Sequence, residues 1–90
     1  MGIALITLKI MPSSPEADLE EIKNKAKSII EENKATKTRF EEEPIAFGLK
    51  AVKAFFDLDE NHELEPIEES LKQIENISSV QVIDMRRAFG

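Results

Sequence analysis

The chain of 90 residues contains no cysteine, no tryptophan, no tyrosine and a single histidine, His62. Without cysteine, disulfide bridges, thiolate nucleophiles and thiolate metal sites are excluded. His62 lies in a polar stretch where we expect a solvated side chain, and it cannot be assigned as a base to any of the serines. The sequence also lacks a phosphate loop and a GxGxxG motif. We therefore predict a protein that is not an enzyme and that holds no cofactor.

No apolar run approaches the roughly 20 residues that cross a bilayer. The apolar segment Ile3–Met11 has neither the basic flank nor the cleavage site of a signal peptide, so we expect a cytoplasmic protein without membrane contact. The net charge of −6 opposes direct binding to nucleic acid, which needs a dense basic face. With 41% hydrophobic and 33% charged residues, the chain is predicted to form one folded domain over residues 1–90.

Four strand patterns and two helix patterns alternate along the chain. Ile3–Met11 and Leu49–Leu58 each carry a wholly apolar face, Thr36–Glu41 alternates as a half-exposed edge strand, and residues from Val80 to about Ala88 are typical of a last strand. Apolar residues at helical spacing predict the two helices. Their stripes are Leu19, Ile22, Ala26, Ile29 and Ile30 in the first helix, and Ile67, Leu71 and Ile74 in the second.

The predicted order β-α-β-β-α-β indicates an α+β fold, a ferredoxin-like βαββαβ sandwich in which a four-stranded antiparallel sheet carries two helices on one face. Ser13 with Glu16 forms a capping-box pattern, and Pro15 suits a first helical turn, so we expect the first helix to begin there. Asn33 is a plausible end of the first helix and Asn76 of the second.

One sheet face has no cover in this arrangement. It would be lined in part by Ile3, Leu5, Leu49, Ala51 and Phe55. A contiguous apolar patch there would indicate a partner surface, whereas scattered apolar residues would be harmless, and the sequence leaves both open. RNA-binding domains of this fold use aromatic and basic residues on that face. We do not expect RNA recognition, because the chain has no glycine–aromatic run and is acidic.

Residues 57–68 carry oxygen ligands at the spacing of an EF-hand calcium loop. The candidate ligands are Asp57, Asp59, Asn61, Glu63, Glu65 and Glu68. Two features oppose this interpretation: His62 occupies the position that needs glycine, and a strand is predicted where an EF-hand has a helix. A glutamate-rich helix start, favoured by the helix dipole, explains the same residues. A small regulatory or calcium-binding domain that uses this loop is the alternative function.

The connector Pro44–Gly48, between the second and third predicted strands, carries the most information. Pro44 fixes its own φ and Gly48 permits a sharp turn, so Ile45 and Phe47 lie on a stiff segment. The general interpretation is a tight connection whose apolar residues plug the end of the core. Loops also carry binding residues more often than their share of the chain.

Several segments resemble translation elongation factor 1-beta, and the likeness is to its short archaeal form. They are Lys9–Pro12, Pro15–Leu19, Pro44–Lys50, Glu68–Glu75 and Ser79–Arg87. The resemblance covers nearly the whole chain, and the family has the ferredoxin-like fold. It implies a guanine-nucleotide exchange factor whose partner is the translational GTPase elongation factor 1-alpha. Such a factor promotes the exchange of GDP for GTP during protein synthesis without covalent chemistry.

The resemblance also implies which residues contact the GTPase. Pro44 and Gly48 would give the connector its shape, and Ile45 and Phe47 would make contact. The strand end from Asp84 to Phe89 would approach the Mg²⁺ and phosphates, where an arginine could compete with the metal or draw away switch carboxylates. The implied contact residues are Phe40, Pro44, Ile45, Phe47, Gly48, Asp84, Met85, Arg86, Arg87 and Phe89.

Two positions depart from the eukaryotic relatives. Those proteins end in a lysine near the metal site, whereas this chain ends in Ala88-Phe89-Gly90, so the lysine has no counterpart. They also carry an exposed aromatic residue two positions before the proline, where this chain has Glu42. Phe40 is the nearest aromatic residue on the same side of the alternating strand, and we take it as the substitute.

Overall fold

The computed structural model describes residues 2–88, and Phe89, one of the implied contact residues, lies outside them. The elements are β1 (Ile3–Pro12), α1 (Leu19–Glu32), β2 (Thr36–Pro44), a 3-10 turn (Ala46–Gly48), β3 (Lys50–Asp59), α2 (Glu65–Lys72) and β4 (Ile77–Ala88). The strands form one antiparallel sheet in the order β2-β3-β1-β4. This confirms the predicted α+β, ferredoxin-like arrangement.

The core lies between the sheet and the two helices. Alternate residues of the central strands β1 and β3 are buried, and they belong to the apolar faces that the sequence predicts. The predicted helix stripes cover them, so both helices pack on the same sheet face. The largest fully buried side chains are Phe56, Ile6, Leu8, Ile10, Ile30, Ile67, Leu71 and Val52.

The prediction that α1 begins at the Ser13–Glu16 capping box is wrong. α1 begins at Leu19, and Asp18 is its N-cap residue. The Asp18 Oδ1 atom accepts hydrogen bonds from the backbone N–H groups of Glu20 at 3.0 Å and Glu21 at 3.2 Å. A carboxylate at this point satisfies two otherwise free N–H groups and lies at the positive end of the helix dipole.

The two helices end differently from one another. α1 ends at Glu32 with Asn33 as its C-cap residue, in line with the prediction, and the Asn33 side chain donates to the Ile29 carbonyl at 2.8 Å. α2 ends earlier than predicted, at Lys72, and Asn76 lies in the turn that follows, with a φ of 68°. Asparagine tolerates left-handed backbone geometry, so it marks the turn and not the helix end. Neither helix, within residues 2–88, has the length and apolarity needed to span a bilayer.

The sheet face opposite the helices is a ladder of charges, not a contiguous apolar patch. The Arg39 guanidinium lies 4.2 Å from the centre of the Phe55 ring. Ala51 is fully buried, and Ile3 and Leu5, at one end of β1, are exposed large apolar residues of this face. The structure therefore favours scattered apolar residues. The ion pairs of this face are Lys9–Glu43, Lys53–Glu43, Lys37–Asp57, Arg39–Glu41 and Arg86–Asp84.

Candidate functional site

The Pro44–Gly48 connector has a well-defined backbone. The Ile45 N–H donates to the Leu49 carbonyl at 2.7 Å, and the Leu49 N–H donates to the Ala46 carbonyl at 3.3 Å. Pro44 ends β2, and Gly48 has a φ of 76°, in the left-handed region that glycine adopts without strain. The stiff turn that proline and glycine predict is therefore present, and it closes the β2–β3 end of the sheet.

Phe47 projects from this connector into solvent. Its side chain is 92% exposed, and its backbone is left-handed, with φ of 63° and ψ of 31°. That geometry costs a residue with a Cβ atom roughly 1–2 kcal/mol. An exposed ring gains nothing from burial, so the interpretation that Phe47 plugs the core is wrong. Ile45, by contrast, is half-buried. Backbone strain of this kind is concentrated at functional sites.

An ion pair between α1 and β2 lies next to the connector. Lys23 Nζ is 2.6 Å from Glu42 Oε2, and Lys50 Nζ is 3.9 Å from Glu42 Oε1. The hydrogen bond from Lys23 holds the pKa of Glu42 below its ordinary value, and Glu42 raises the pKa of Lys23. Glu42, at the position of the missing aromatic residue, is therefore engaged within the chain. Phe40 is half-buried and packs against the core, so only part of its ring is open to a partner.

The C-terminal half of β4 carries the two arginines of the candidate site. Arg86 and Arg87 are successive strand residues, so their side chains leave opposite faces of the sheet. Arg86 lies on the charged face, where its Nε atom is 3.0 Å from Asp84 Oδ2. Arg87 lies on the helix side and forms an ion pair with Glu60, which sequence reasoning did not single out. The two arginine side chains are 76% and 78% exposed.

Exposed apolar side chains accompany these arginines. Met85 is 58% exposed, Ile83 46% and Val82 38%. Met85 and Arg87 border a groove of about 620 Å³ together with residues of the β3–α2 loop. The implied contact residues include Met85 but not Val82 and Ile83. Val82 and Ile83 are consecutive apolar residues in an edge strand, where only one of the two can face the core. That pattern in the sequence would have indicated an exposed apolar side chain.

The connector and the end of β4 lie at opposite ends of the sheet. Pro44 pairs with Lys50 at the start of β3, whereas Ile3 pairs with Asp59 at the end of β3 and with Ala88 of β4. At about 3.3 Å per residue, the ten residues of β3 separate the two ends by roughly 30 Å. Both groups share one sheet, but no single compact patch contains them.

The acidic residues 57–68 are spread over β3, the loop that follows it and α2, which is not the arrangement of an EF-hand. Asp57 lies in β3 and faces Lys37 at 3.8 Å, while Asp59 Oδ1 accepts the N–H of Asn61 at 2.8 Å. Among residues 2–88, no three His, Cys, Asp or Glu side chains are arranged to hold a metal ion. A strand precedes the loop, so the helix of an EF-hand is missing there. His62 is an exposed loop residue, as predicted.

Comparisons with known proteins point to one family. A family model described as the EF-1 guanine nucleotide exchange domain matches residues 5–88. Elongation factor 1-beta of Methanosphaera stadtmanae is 44% identical over 81 residues, which are 89% of this chain and 90% of the relative. The proteins of the same name from Methanothermobacter thermautotrophicus and Methanocaldococcus jannaschii are 41% and 35% identical. They cover 97% and 98% of this chain, and 98% and 100% of the relatives.

Proposed function

Because this chain belongs to the EF-1 guanine nucleotide exchange domain family, we propose that it accelerates GDP release from elongation factor 1-alpha by binding alone, without covalent chemistry. Its function is that of elongation factor 1-beta, the exchange of GDP for GTP on the translational GTPase. Phe47, exposed and left-handed on a stiff connector, is the observation that supports a binding mechanism. The net charge of −6 favours a protein surface over nucleic acid as the ligand.

The thermodynamic requirement is a difference in affinity. A factor that binds the nucleotide-poor GTPase more tightly than the GDP-bound form shifts the equilibrium towards release by that difference and no more. GTP then refills the site. No group on the chain has to form a bond with the nucleotide, and the Mg²⁺ concerned is the one held by the GTPase.

The connector supplies the anchor for docking. Phe47 presents nearly its whole ring on a backbone fixed by Pro44, Gly48 and the two hydrogen bonds of the turn. A rigid aromatic side chain loses little entropy when it enters a pocket, which is why such residues dominate binding energies. The proposed contacts at this end are Phe40, Pro44, Ile45, Phe47 and Gly48.

The end of β4 supplies the charge that loosens the nucleotide site. A guanidinium group can compete with Mg²⁺ for phosphate oxygens or pair with the switch carboxylates. We assign this part to an arginine of β4. Arg86 and Arg87 form their ion pairs on opposite faces of the sheet, so they would approach a phosphate group from different sides. The proposed contacts at this end are Asp84, Met85, Arg86 and Arg87.

A nucleotide-release assay tests the proposal. The matching elongation factor 1-alpha is loaded with fluorescent GDP and mixed with excess unlabelled GDP and increasing amounts of the chain. We expect release to accelerate and to saturate at micromolar concentrations of the factor. The GTPase alone, at the same ionic strength, gives the baseline. Release at the baseline rate throughout the titration would rule the proposal out.

A further inference from the structure

Glu60, in the loop between β3 and α2, contacts both ends of the chain. Its backbone N–H donates to the Gly2 carbonyl at 3.0 Å, and its carboxylate forms the ion pair with Arg87 Nε. Of the two partners in that pair, the Glu60 side chain is 32% exposed and Arg87 is 78% exposed. The carboxylate is therefore the more enclosed partner, and the guanidinium remains open to solvent.

Gly2 has no side chain, and the Glu60 carboxylate occupies the space where a Cβ atom of residue 2 would lie. A Cβ atom on residue 2 would overlap this carboxyl group. Because the overlapping atoms are the far end of a flexible side chain, Glu60 would swing away and the backbone would stay in place. A side chain at position 2 would therefore displace the Glu60 carboxylate from its present position beside Arg87.

The ion pair with Glu60 favours one orientation of the Arg87 side chain. An arginine on an exposed strand samples many rotamers, and fixing them on binding costs free energy. The Glu60 carboxylate lies against Nε of Arg87, which leaves the terminal Nη groups available for a second planar acceptor such as a phosphate or carboxylate. Arg86 is held differently, by Asp84 of its own strand, on the opposite sheet face.

We propose that Glu60 is a positioning residue that orients Arg87 towards the nucleotide side of the GTPase, with Gly2 providing the room for its carboxylate; this step rests on the proposed function of the β4 end. Arg87 and Met85 border the same groove, so the oriented guanidinium lies beside an exposed apolar contact. Glu60 acts through Arg87 and does not itself touch the nucleotide.

The first test uses the free chain and no GTPase. In an NMR spectrum of the arginine side chains, the Arg87 Nε–H should be hydrogen-bonded and slow to exchange with water. Glu60→Ala removes the acceptor, and Gly2→Ala displaces it without a change of charge, so both should abolish this signature. Glu41→Ala, which removes the carboxylate beside Arg39, is the matched control and should leave it intact. An unchanged Arg87 signal in both variants overturns the inference.

The second test measures GDP release. Glu60→Ala and Gly2→Ala should each lower the maximal rate by about two- to five-fold, because an exposed ion pair restrains a side chain only weakly. The half-saturating concentration should stay the same, since the connector is untouched. Arg87→Ala should slow release at least as much, and Glu60→Ala in that background should have no further effect. Glu41→Ala should match the wild-type chain.

The outcomes separate the two proposals. If the wild-type chain does not accelerate release, the proposed function fails. If Arg87→Ala slows release while Glu60→Ala and Gly2→Ala match the wild-type rate, the proposed exchange function is supported and the positioning role of Glu60 is refuted. If Glu60→Ala slows release further in the Arg87→Ala background, Glu60 acts otherwise than through Arg87. Should Glu60→Ala unfold by circular dichroism, Gly2→Ala decides, because it retains every charged group.

Discussion

Phe47 has two unfavourable features that the turn itself does not require: a left-handed backbone and an aromatic ring exposed to solvent. The other non-glycine residues with positive φ within residues 2–88 are polar: Lys34, Lys37 and Asn76. Phe47 alone among them exposes an aromatic ring, and a glycine or an asparagine would take the same backbone geometry more cheaply. The proposed contact with the GTPase would explain why a residue with both costs occupies this position.

Replacing Phe47 with asparagine should therefore separate stability from exchange. We expect the free energy of unfolding to stay the same or to rise by up to about 1 kcal/mol, because asparagine tolerates the left-handed region. The concentration of factor that half-saturates GDP release should rise about ten-fold or more, the loss expected for an aromatic anchor. Chemical denaturation and a release titration measure the two quantities.

The control for Phe47→Asn is Ala46→Ser, a change at the neighbouring exposed position of the same turn. It should alter neither quantity. A loss of stability in Phe47→Asn comparable to that of a core truncation, about 3 kcal/mol or more, would show that the ring supports the fold.

The sequence predicts the turn but not which of its apolar residues is exposed. Pro44 and Gly48 have local backbone preferences, so their effect is visible in the sequence. Ile45 and Phe47 are both apolar and two positions apart, and only the surrounding chain determines that one is half-buried and the other projects. The Glu60–Arg87 pair joins residues distant in sequence, and no local pattern indicates it.

At the scale of elements, hydrophobic periodicity predicts the strands and helices well, whereas helix starts depend on tertiary contacts. The Ser13–Glu16 pattern has the residue types of a capping box. In the folded chain, however, the Ser13 N–H donates to the Asn76 carbonyl at 2.8 Å. That bond ties the end of β1 to the turn before β4, and the chain then needs further residues to reach the start of α1. The helix therefore starts later than the local pattern predicts, and Asp18 is its N-cap residue.

The cap assignment predicts a clear contrast between two substitutions. Asp18→Ala should lower the free energy of unfolding by about 1 kcal/mol, since it removes the acceptor for two helix N–H groups. Ser13→Ala should change it by less than about 0.5 kcal/mol, because Ser13 contributes a backbone bond that alanine keeps. Urea denaturation of both variants measures the contrast, and the opposite ranking would restore the capping box at Ser13.

The Lys23–Glu42 ion pair links α1 to β2, and its contribution to stability depends on pH. The pKa of Glu42 is lowered in the folded chain, so its contribution is present above the ordinary value of 4.5 and is lost as pH falls through the folded value. The pKa of Lys23 is raised, so its contribution is present below 10.5 and is lost as pH rises through the folded value.

Glu42→Gln should therefore be slightly less stable than the wild-type chain at neutral pH, and the difference should shrink as pH falls below 4.5 and vanish once pH is below the folded pKa of Glu42. The effect is small because both groups contact water. Denaturation curves collected across this pH range provide the measurement. Glu31→Gln, the same charge change on an exposed residue of α1, is the control. A difference that persists unchanged in acid would show that the ion pair is not its source.

At the scale of the whole molecule, the sheet separates the two groups of proposed contact residues. The described chain measures 42 × 21 × 17 Å, and the connector and the end of β4 lie at opposite ends of the sheet. This separation follows from the topology: β4 runs antiparallel to β1, and so does β3, so β4 ends where β3 ends. A GTPase that contacts both ends must offer two surfaces roughly 30 Å apart.

Because the connector and the end of β4 are far apart, we expect the chain to bind the GTPase even without the two arginines. The double variant Arg86→Ala/Arg87→Ala keeps the connector intact, so it should still occupy the GTPase while it accelerates GDP release at least about ten-fold less than the wild-type chain. Added in excess to a reaction with the wild-type chain, it should therefore inhibit competitively, because both proteins need the same docking surface. Adding Phe47→Asn to the double variant removes the anchor and should abolish the inhibition. A double variant that neither accelerates nor inhibits would show that the arginines contribute to docking itself, and that the two ends do not act separately.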